Sequence, residues 1–482
     1  MTLLNTIARG AAWMTGAQWA IQILQFAVSI FIARLLSPAD YGLVGMSAAF
    51  TAFVILFANL GFGAALIQKK DIDEDDTCTA FWATVLVGVF LYIISFAVAP
   101  LVGRFYGEPK VEVIIKVSAV IFLFSPISII LESLLTRQMA FREIALTNMG
   151  SSLVSQILTL TAAFAGLGVW SLVIGTLGFQ IIRMPALFYL NRWFPKLRFS
   201  RNHFSSLFSF GGYLLGFNFL NFINRNADNV IIGRFLGATA LGYYDLAYQV
   251  MLKPLQNVSG SITKPLFPVL SSIREDKPRV AETYRSVVVY ISLITFPIML
   301  GLAVVAPEFI FAVLGEKWAP AIPLLQILCI VGAMQSIGAT CGDIFLSQGR
   351  SDILFKWTLF FTPIIVGAFF LGIKWGTIGV AFCYSIVTLL VCISLQIIAN
   401  RMINLSTSRF LSALFPAAKW SIVMAAAVLF TQHLLKYSDL SYLTRFFVLV
   451  FLGIVSYGVA MYMSKLEELT KIRSYIRDRI FH

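Results

Sequence analysis

The sequence predicts an all-α, polytopic membrane protein of about fourteen transmembrane helices, in two pseudo-symmetric six-helix lobes followed by two C-terminal helices. Three observations carry this reading. Hydrophobic residues make up 59% of the 482 positions and charged ones only 12%, against about 25% charged in ordinary globular domains, and mean hydropathy is +0.85. Apolar runs near the roughly 20 residues needed to cross a hydrocarbon core recur along the whole chain. One stretch is also written twice: IARLLSPADYGLVG from Ile32 returns as IGRFLGATALGYYD from Ile232, with Arg34/Arg234, Leu36/Leu236 and Gly42/Gly242 in register.

In chain order the spans read as 11–34, 42–67, 79–102, 112–136, 145–166, 169–190, 207–233, 243–270, 284–306, 320–346, 354–373, 376–400, 412–434 and 441–464. The first is too long, and lacks the small-residue cleavage pattern, for a removed signal peptide. Pro126, Pro254, Pro297 and Pro363 fall inside spans and mark expected bends. The tail KLEELTKIRSYIRDRIFH sets Leu469, Ile472, Ile476 and Ile480 at helical spacing against Lys471, Arg473, Arg477 and Arg479. It is expected to lie as an amphipathic helix on an anionic leaflet.

Lys and Arg concentrate in alternate connections, among them Lys69, Lys70, Arg137, Arg142, Arg192, Lys196, Arg198, Arg274, Arg350 and Arg401. Positive loops stay in the cytoplasm, so both termini are expected there. The net charge of +13 is thereby a matter of topology, and nucleic acid is not an expected partner; membrane lipids are. The acidic run DIDEDD from Asp71 interrupts the pattern and reads as a solvated loop.

The five cysteines form no CxxC pair, and no His/Cys/carboxylate cluster is spaced for a metal. No P-loop or nucleophile elbow occurs, so no metal, cofactor or ATP hydrolysis is expected, and the chain does not read as an enzyme.

The duplication extends beyond the opening stretch. FYGEPK at 105–110 matches VLGEKW at 313–318, LLTRQMAFREI matches IFLSQGRSDIL, and GLGVWSLV at 166–173 matches TIGVAFCY at 377–384. The organisation expected is residues 1–200 and 201–405 as two lobes of six helices, 406–464 as two added helices and 465–482 as the tail. Six is even, so the copies share an orientation and their axis runs along the membrane normal.

Two such lobes enclose a cavity, which predicts polar stripes on matching helices. The first span carries Gln18, Gln22, Gln25 and Ser29; the seventh carries Asn218, Asn221, Arg225 and Asp228, each set on one helical face. Amides either line a cavity or bond a neighbouring helix. Charges are costlier in hydrocarbon, about 2.5–3.5 kcal/mol even on the most lenient scale, and face a wet interior. Arg225 and Lys253 are therefore expected to line a substrate route, or else to satisfy Asp228 and helix-end carbonyls. Arg183 and Lys264 lie nearer the inner side, and Glu132, Asp228 and Asp343 are the acids available for ion coupling. Cations in a low-dielectric cleft attract anions, and the Arg fork suits phosphate.

The segments FIARLLSPADYGL, LGFGAALIQKK, RQMAFR, GLGVWSLV, NADNVIIGRFLGATALGYYDLAYQV, LFPVLSSI and VLGEKWAPAIPLLQIL, in that order, closely resemble the polysaccharide-exporter branch of the multidrug/oligosaccharidyl-lipid/polysaccharide exporter superfamily. Within that branch they resemble the Wzx-like lipopolysaccharide, colanic-acid and teichuronic-acid exporters. The resemblance implies movement of an undecaprenyl-diphosphate-linked oligosaccharide from the inner to the outer leaflet of a bacterial membrane by alternating access. It also implies drive from an ion gradient or membrane potential, and a polysaccharide polymerase and chain-length regulator as partners. Two other readings stay open: a cation-coupled drug antiporter of the same superfamily, and a membrane polymerase or ligase of lipid-linked sugars. Against the first stand Arg225 and Lys253 where acids are expected, and against the second stand outer loops of only about ten residues.

Overall fold

The computed structural model describes residues 3–58, 62–69, 71–263 and 265–464; for 3–12, 201–218 and 261 it describes the backbone alone. The predicted tail lies outside the described residues. Where they are described, the chain is helical almost throughout, and contacts group it into two compact units, 1–242 and 243–482.

The first unit holds α1 (Leu3–Leu35), α2 (Pro38–Ala58), α3 (Phe62–Gln68), α4 (Glu74–Tyr106), α5 (Pro109–Ser118), α6 (Ile121–Arg137), α7 (Phe141–Phe164), α8 (Val169–Asn191) and the first part of α9 (Arg201–Thr263). The rest of α9, α10 (Leu266–Ser272), α11 (Lys277–Val304), α12 (Ala306–Phe309), α13 (Ala321–Ser347), α14 (Ser351–Gly372), α15 (Gly376–Met402), α16 (Thr407–Leu435) and α17 (Tyr442–Met463) belong to the second. Helix covers each span read from the sequence where it is described, with 42–67 divided between α2 and α3, 112–136 between α5 and α6, and spans seven and eight together in α9 and α10. Ten helical stretches among the described residues are long and apolar enough to cross a membrane.

One connection differs from the sequence reading. Spans seven and eight are two helices, as read, but no nine-residue turn separates 233 from 243: they meet at a kink at Gly237, whose φ of 86° and ψ of 176° are non-helical. That backbone conformation is one glycine tolerates and L side chains avoid. The fifth span, α7, buries a row of hydroxyls. Ser151, Ser152, Ser155 and Thr159 are buried, and Ser155 Oγ donates to the Gly175 carbonyl of α8 at 2.7 Å. Small polar residues let membrane helices approach and bond one another.

Within each unit the same helices meet. In the first, α4 packs on α6, α6 on α8 and α7 on α8; in the second, α11 packs on α13, α13 on α15 and α14 on α15. The turns repeat too. Gly107 and Gly315 both have positive φ, 72° and 101°. After α6, Gln138 N donates to Leu134 O and Ala140 N to Leu135 O; after α13, Gln348 N donates to Ile344 O and Arg350 N to Phe345 O. Met139 (φ 56°) and Gly349 (φ 69°) occupy the same place in these turns. α16 and α17 add to the second unit by packing on α11 and on each other.

Helix ends are specified locally. Ser37 and Asp40 bond reciprocally at the start of α2, Ser37 N donating to Asp40 Oδ2 at 3.0 Å and Asp40 N to Ser37 Oγ at 3.2 Å. Asp73 and Asp76 form the same box at α4.

Candidate functional site

In the duplicated stretch, backbones of the first unit pass close to one another. A Cβ on Gly42 would overlap the Ala238 carbonyl, and one on Gly242 would overlap the Pro38 carbonyl. Pro38 and Ala238 are themselves equivalent at an offset of 200, so the contact is reciprocal: each copy presents its glycine to the other's turn. Leu241 seals the edge against Gly45 and Gly233, and Tyr106 and Met46 also face Gly233. Arg234, flanking the contact, stacks on Phe105 with 5.5 Å to the ring centroid.

From that contact α1 and α9 carry the predicted polar stripes. Gln18 and Gln25 are exposed and Gln22 half-buried; on α9, Asn221 and Arg225 are exposed. The side chain of Asn218 lies outside the described residues, as does Lys264. Asp228 is buried, 4% exposed, and accepts from the Asn229 N–H at 2.8 Å.

Arg183 and Glu132 are brought together although 51 residues separate them. The guanidinium donates to the Glu132 carboxylate, its Nε donates to Asn148 Oδ1 at 2.8 Å, and it lies over Phe179. An acid, an amide and a cation from α6, α7 and α8 thus form one cluster in the first unit.

The acidic run is not a free loop. Lys196 bonds Glu74 at 2.9 Å, Arg198 bonds Asp75 at 3.3 Å and Lys69 bonds Asp76 at 2.6 Å. Trp82 Nε1 also donates to the Lys196 carbonyl at 2.8 Å. The segment after α8 is therefore strapped to the head of α4. The sequence shows the opposite charges of 71–76 and 192–198, but not that they meet.

In the second unit Lys253 and Asp343 are half-buried, on α9 and α13. A polar network links α11, α13 and α15. Tyr284 Oη shares a hydrogen bond with Thr340 at 2.9 Å and donates to Gln396 Oε1 at 3.1 Å, and Gln396 Nε2 donates to Asn400 Oδ1 at 2.8 Å. Glu308 is another residue that sequence reasoning missed: 7% exposed, it accepts from Gln432 Nε2 at 2.8 Å. Its signal is an acid after Ala306-Pro307 inside an apolar run. No group of three His, Cys, Asp or Glu stands ready for a metal among the described residues.

Among the described residues, the charged groups are paired or spread along helices, with no converging nucleophile and base. Residues 31–323 match the model of a family described as "Polysaccharide biosynthesis protein". Among curated proteins, the chain is 27% identical to "Teichuronic acid biosynthesis protein TuaB" of Bacillus subtilis (strain 168), across 90% of this chain and 91% of that one. It is 28% identical to "Lipopolysaccharide biosynthesis protein WzxC" of Escherichia coli (strain K12), across 81% and 80%. Among solved structures it shares its fold with "Lipid II flippase MurJ, inward closed conformation" at a TM-score of 0.75 and 16% identity, covering 93% of this chain and 97% of that one.

Proposed function

The chain belongs to the polysaccharide biosynthesis protein family, and from that membership we propose that it is a flippase for a lipid-linked oligosaccharide. It moves an undecaprenyl-diphosphate-linked repeat unit from the inner to the outer leaflet of a bacterial cytoplasmic membrane, with both termini in the cytoplasm. Relatives named for teichuronic acid and lipopolysaccharide biosynthesis, and a shared fold with a lipid II flippase, support this over catalysis.

The observation that carries the reading is the exposed polar stripe. Gln18, Gln25, Asn221 and Arg225 stand exposed on helices of membrane-spanning length, where hydrocarbon would penalise Arg225 by about 2.5–3.5 kcal/mol or more. Water and a polar cargo relieve that penalty. Arg225 and Lys253 attract the diphosphate, and the amides bond sugar hydroxyls.

Transport proceeds by alternating access, and the substrate shifts the equilibrium only through unequal affinity for the two states. An ion gradient or membrane potential drives the cycle. Glu132, Asp228 and Asp343 are the acids through which an ion acts. A polymerase and a chain-length regulator take up the product on the outer side.

The test is depletion of the protein in its native host, followed by mass spectrometry of polyprenyl-linked glycans and a leaflet-accessibility assay. A complete repeat unit accumulating in the inner leaflet is the expected result. Units reaching the outer leaflet at the normal rate would exclude this function.

A further inference from the structure

α1 and α7 close on one another around Val28, Ile32, Leu36 and Ala163, but nearer their N-terminal ends they leave a cavity of about 310 Å³ lined by Trp13, Gly16, Ala17, Leu146 and Met149. Its lining is almost entirely apolar. Ala17 is buried at its floor, whereas Trp13, Leu146 and Met149 are exposed, so the slot opens on the protein's surface. Gly16 lies in its lining, and a Cβ there would meet nothing within 4 Å.

Among the described residues, one cation stands at the slot. Arg142 lies four residues before Leu146 and seven before Met149, on the same face of α7. Its guanidinium stacks on Trp13, 5.3 Å from the ring centroid. Glu143 sits about 100° round the helix, off that face. The slot therefore combines an apolar trough with a positive charge directly against one of its walls.

We propose that this α1/α7 slot binds the first isoprene units of a polyprenyl diphosphate, with Arg142 on the phosphate. The chemistry of the ligand follows from the closeness of charge and trough. In a polyprenyl diphosphate the phosphate is attached to the end of one apolar chain, so the anion falls at Arg142 as the chain enters beside Trp13. A phospholipid instead brings two acyl chains on a glycerol diester, and it is the competing ligand against which the assignment is tested. The inference deepens the proposed function, on which it rests, by assigning a seat for the lipid part of the cargo.

The test uses the full-length protein in lipid nanodiscs with a photoreactive polyprenyl diphosphate that carries no sugar. Adducts mapped by mass spectrometry should fall on the peptides holding Trp13 and Met149. They should drop at least tenfold in Gly16→Leu, which fills the slot, and several-fold in Arg142→Gln. Excess phosphatidylglycerol should not displace the probe. Adducts elsewhere, unchanged labelling in Arg142→Gln, or equal competition by phosphatidylglycerol would each overturn the assignment. Should Gly16→Leu fail to fold, the adduct map and Arg142→Gln still decide. The assay reads no translocation, so failure of export with labelling intact would overturn the flippase reading alone. Normal export with adducts elsewhere would overturn the slot alone.

Discussion

Gly42 lies against the carbonyl of Ala238 so closely that no side chain fits between them, and Gly242 lies in the same way against Pro38. Each residue of one pair is the counterpart of a residue of the other at an offset of 200. The duplicated stretch therefore packs on its own copy. The obstructing atoms are backbone oxygens, which cannot rotate away as the end of a flexible side chain can. Gly42→Ala and Gly242→Ala should each cost more than the 1–3 kcal/mol usual for overpacking and lower export at least tenfold at reduced membrane abundance. Gly260→Ala, where a Cβ meets nothing within 4 Å, should behave as wild type. Immunoblotting of membranes beside an export assay checks all three.

The Arg183–Glu132 pair makes an asymmetric prediction. Removing one partner of a buried pair costs about 3–5 kcal/mol, less here because Glu132 is 31% exposed against 11% for Arg183. Arg183→Met, which leaves a carboxylate among apolar helices, should lower the melting temperature more than Glu132→Gln. Arg183→Met combined with Glu132→Gln should recover part of the loss. A double-mutant cycle by thermal unfolding in detergent measures the coupling; strictly additive effects would remove this pair from the account.

Tyr284→Phe deletes the hydroxyl at the centre of the network with Thr340 and Gln396 and leaves their polar atoms buried. The expected loss is about 1–3 kcal/mol, read as a lower melting temperature. Gln396→Leu should cost at least as much, since it removes the acceptor of the Tyr284 hydroxyl and the donor to Asn400 Oδ1 together.

Arg225→Ala and Lys253→Ala should abolish export while leaving the protein in the membrane, and Arg225→Lys should restore only part because the planar fork is lost. Export by both alanine variants at the wild-type rate would withdraw these residues from the substrate route.

The strap between 192–198 and the head of α4 is exposed, so each of its ion pairs should contribute no more than about 1 kcal/mol. Glu74→Lys should weaken it slightly, and adding Lys196→Glu should restore the wild-type melting temperature. High salt should erase the difference.

The helices were legible in the sequence wherever apolarity is continuous, because a run of spanning length in so apolar a chain admits one local structure. The turn at 233–243 was misjudged in length. Gly237 alone supplies the break, and a single permissive residue leaves little pattern in a run with Gly233 and Gly242 beside it. The stripes of Gln18, Gln25, Asn221 and Arg225 were legible from helical spacing. The partners of Arg183, Glu308 and Lys196 were not, since Glu132, Gln432 and Glu74 stand 51, 124 and 122 residues away.

What the sequence determined by itself is therefore the solvent, the helices and the duplication. Each follows from composition or from a period along the chain, and hydrophobicity acts locally on runs of about 20 residues. Tertiary structure alone decided which charges are balanced, which glycines touch a backbone and where α1 and α7 leave a slot. Those are properties of helix faces brought together across long separations, where the energy depends on distances of a few ångströms that linear spacing does not encode.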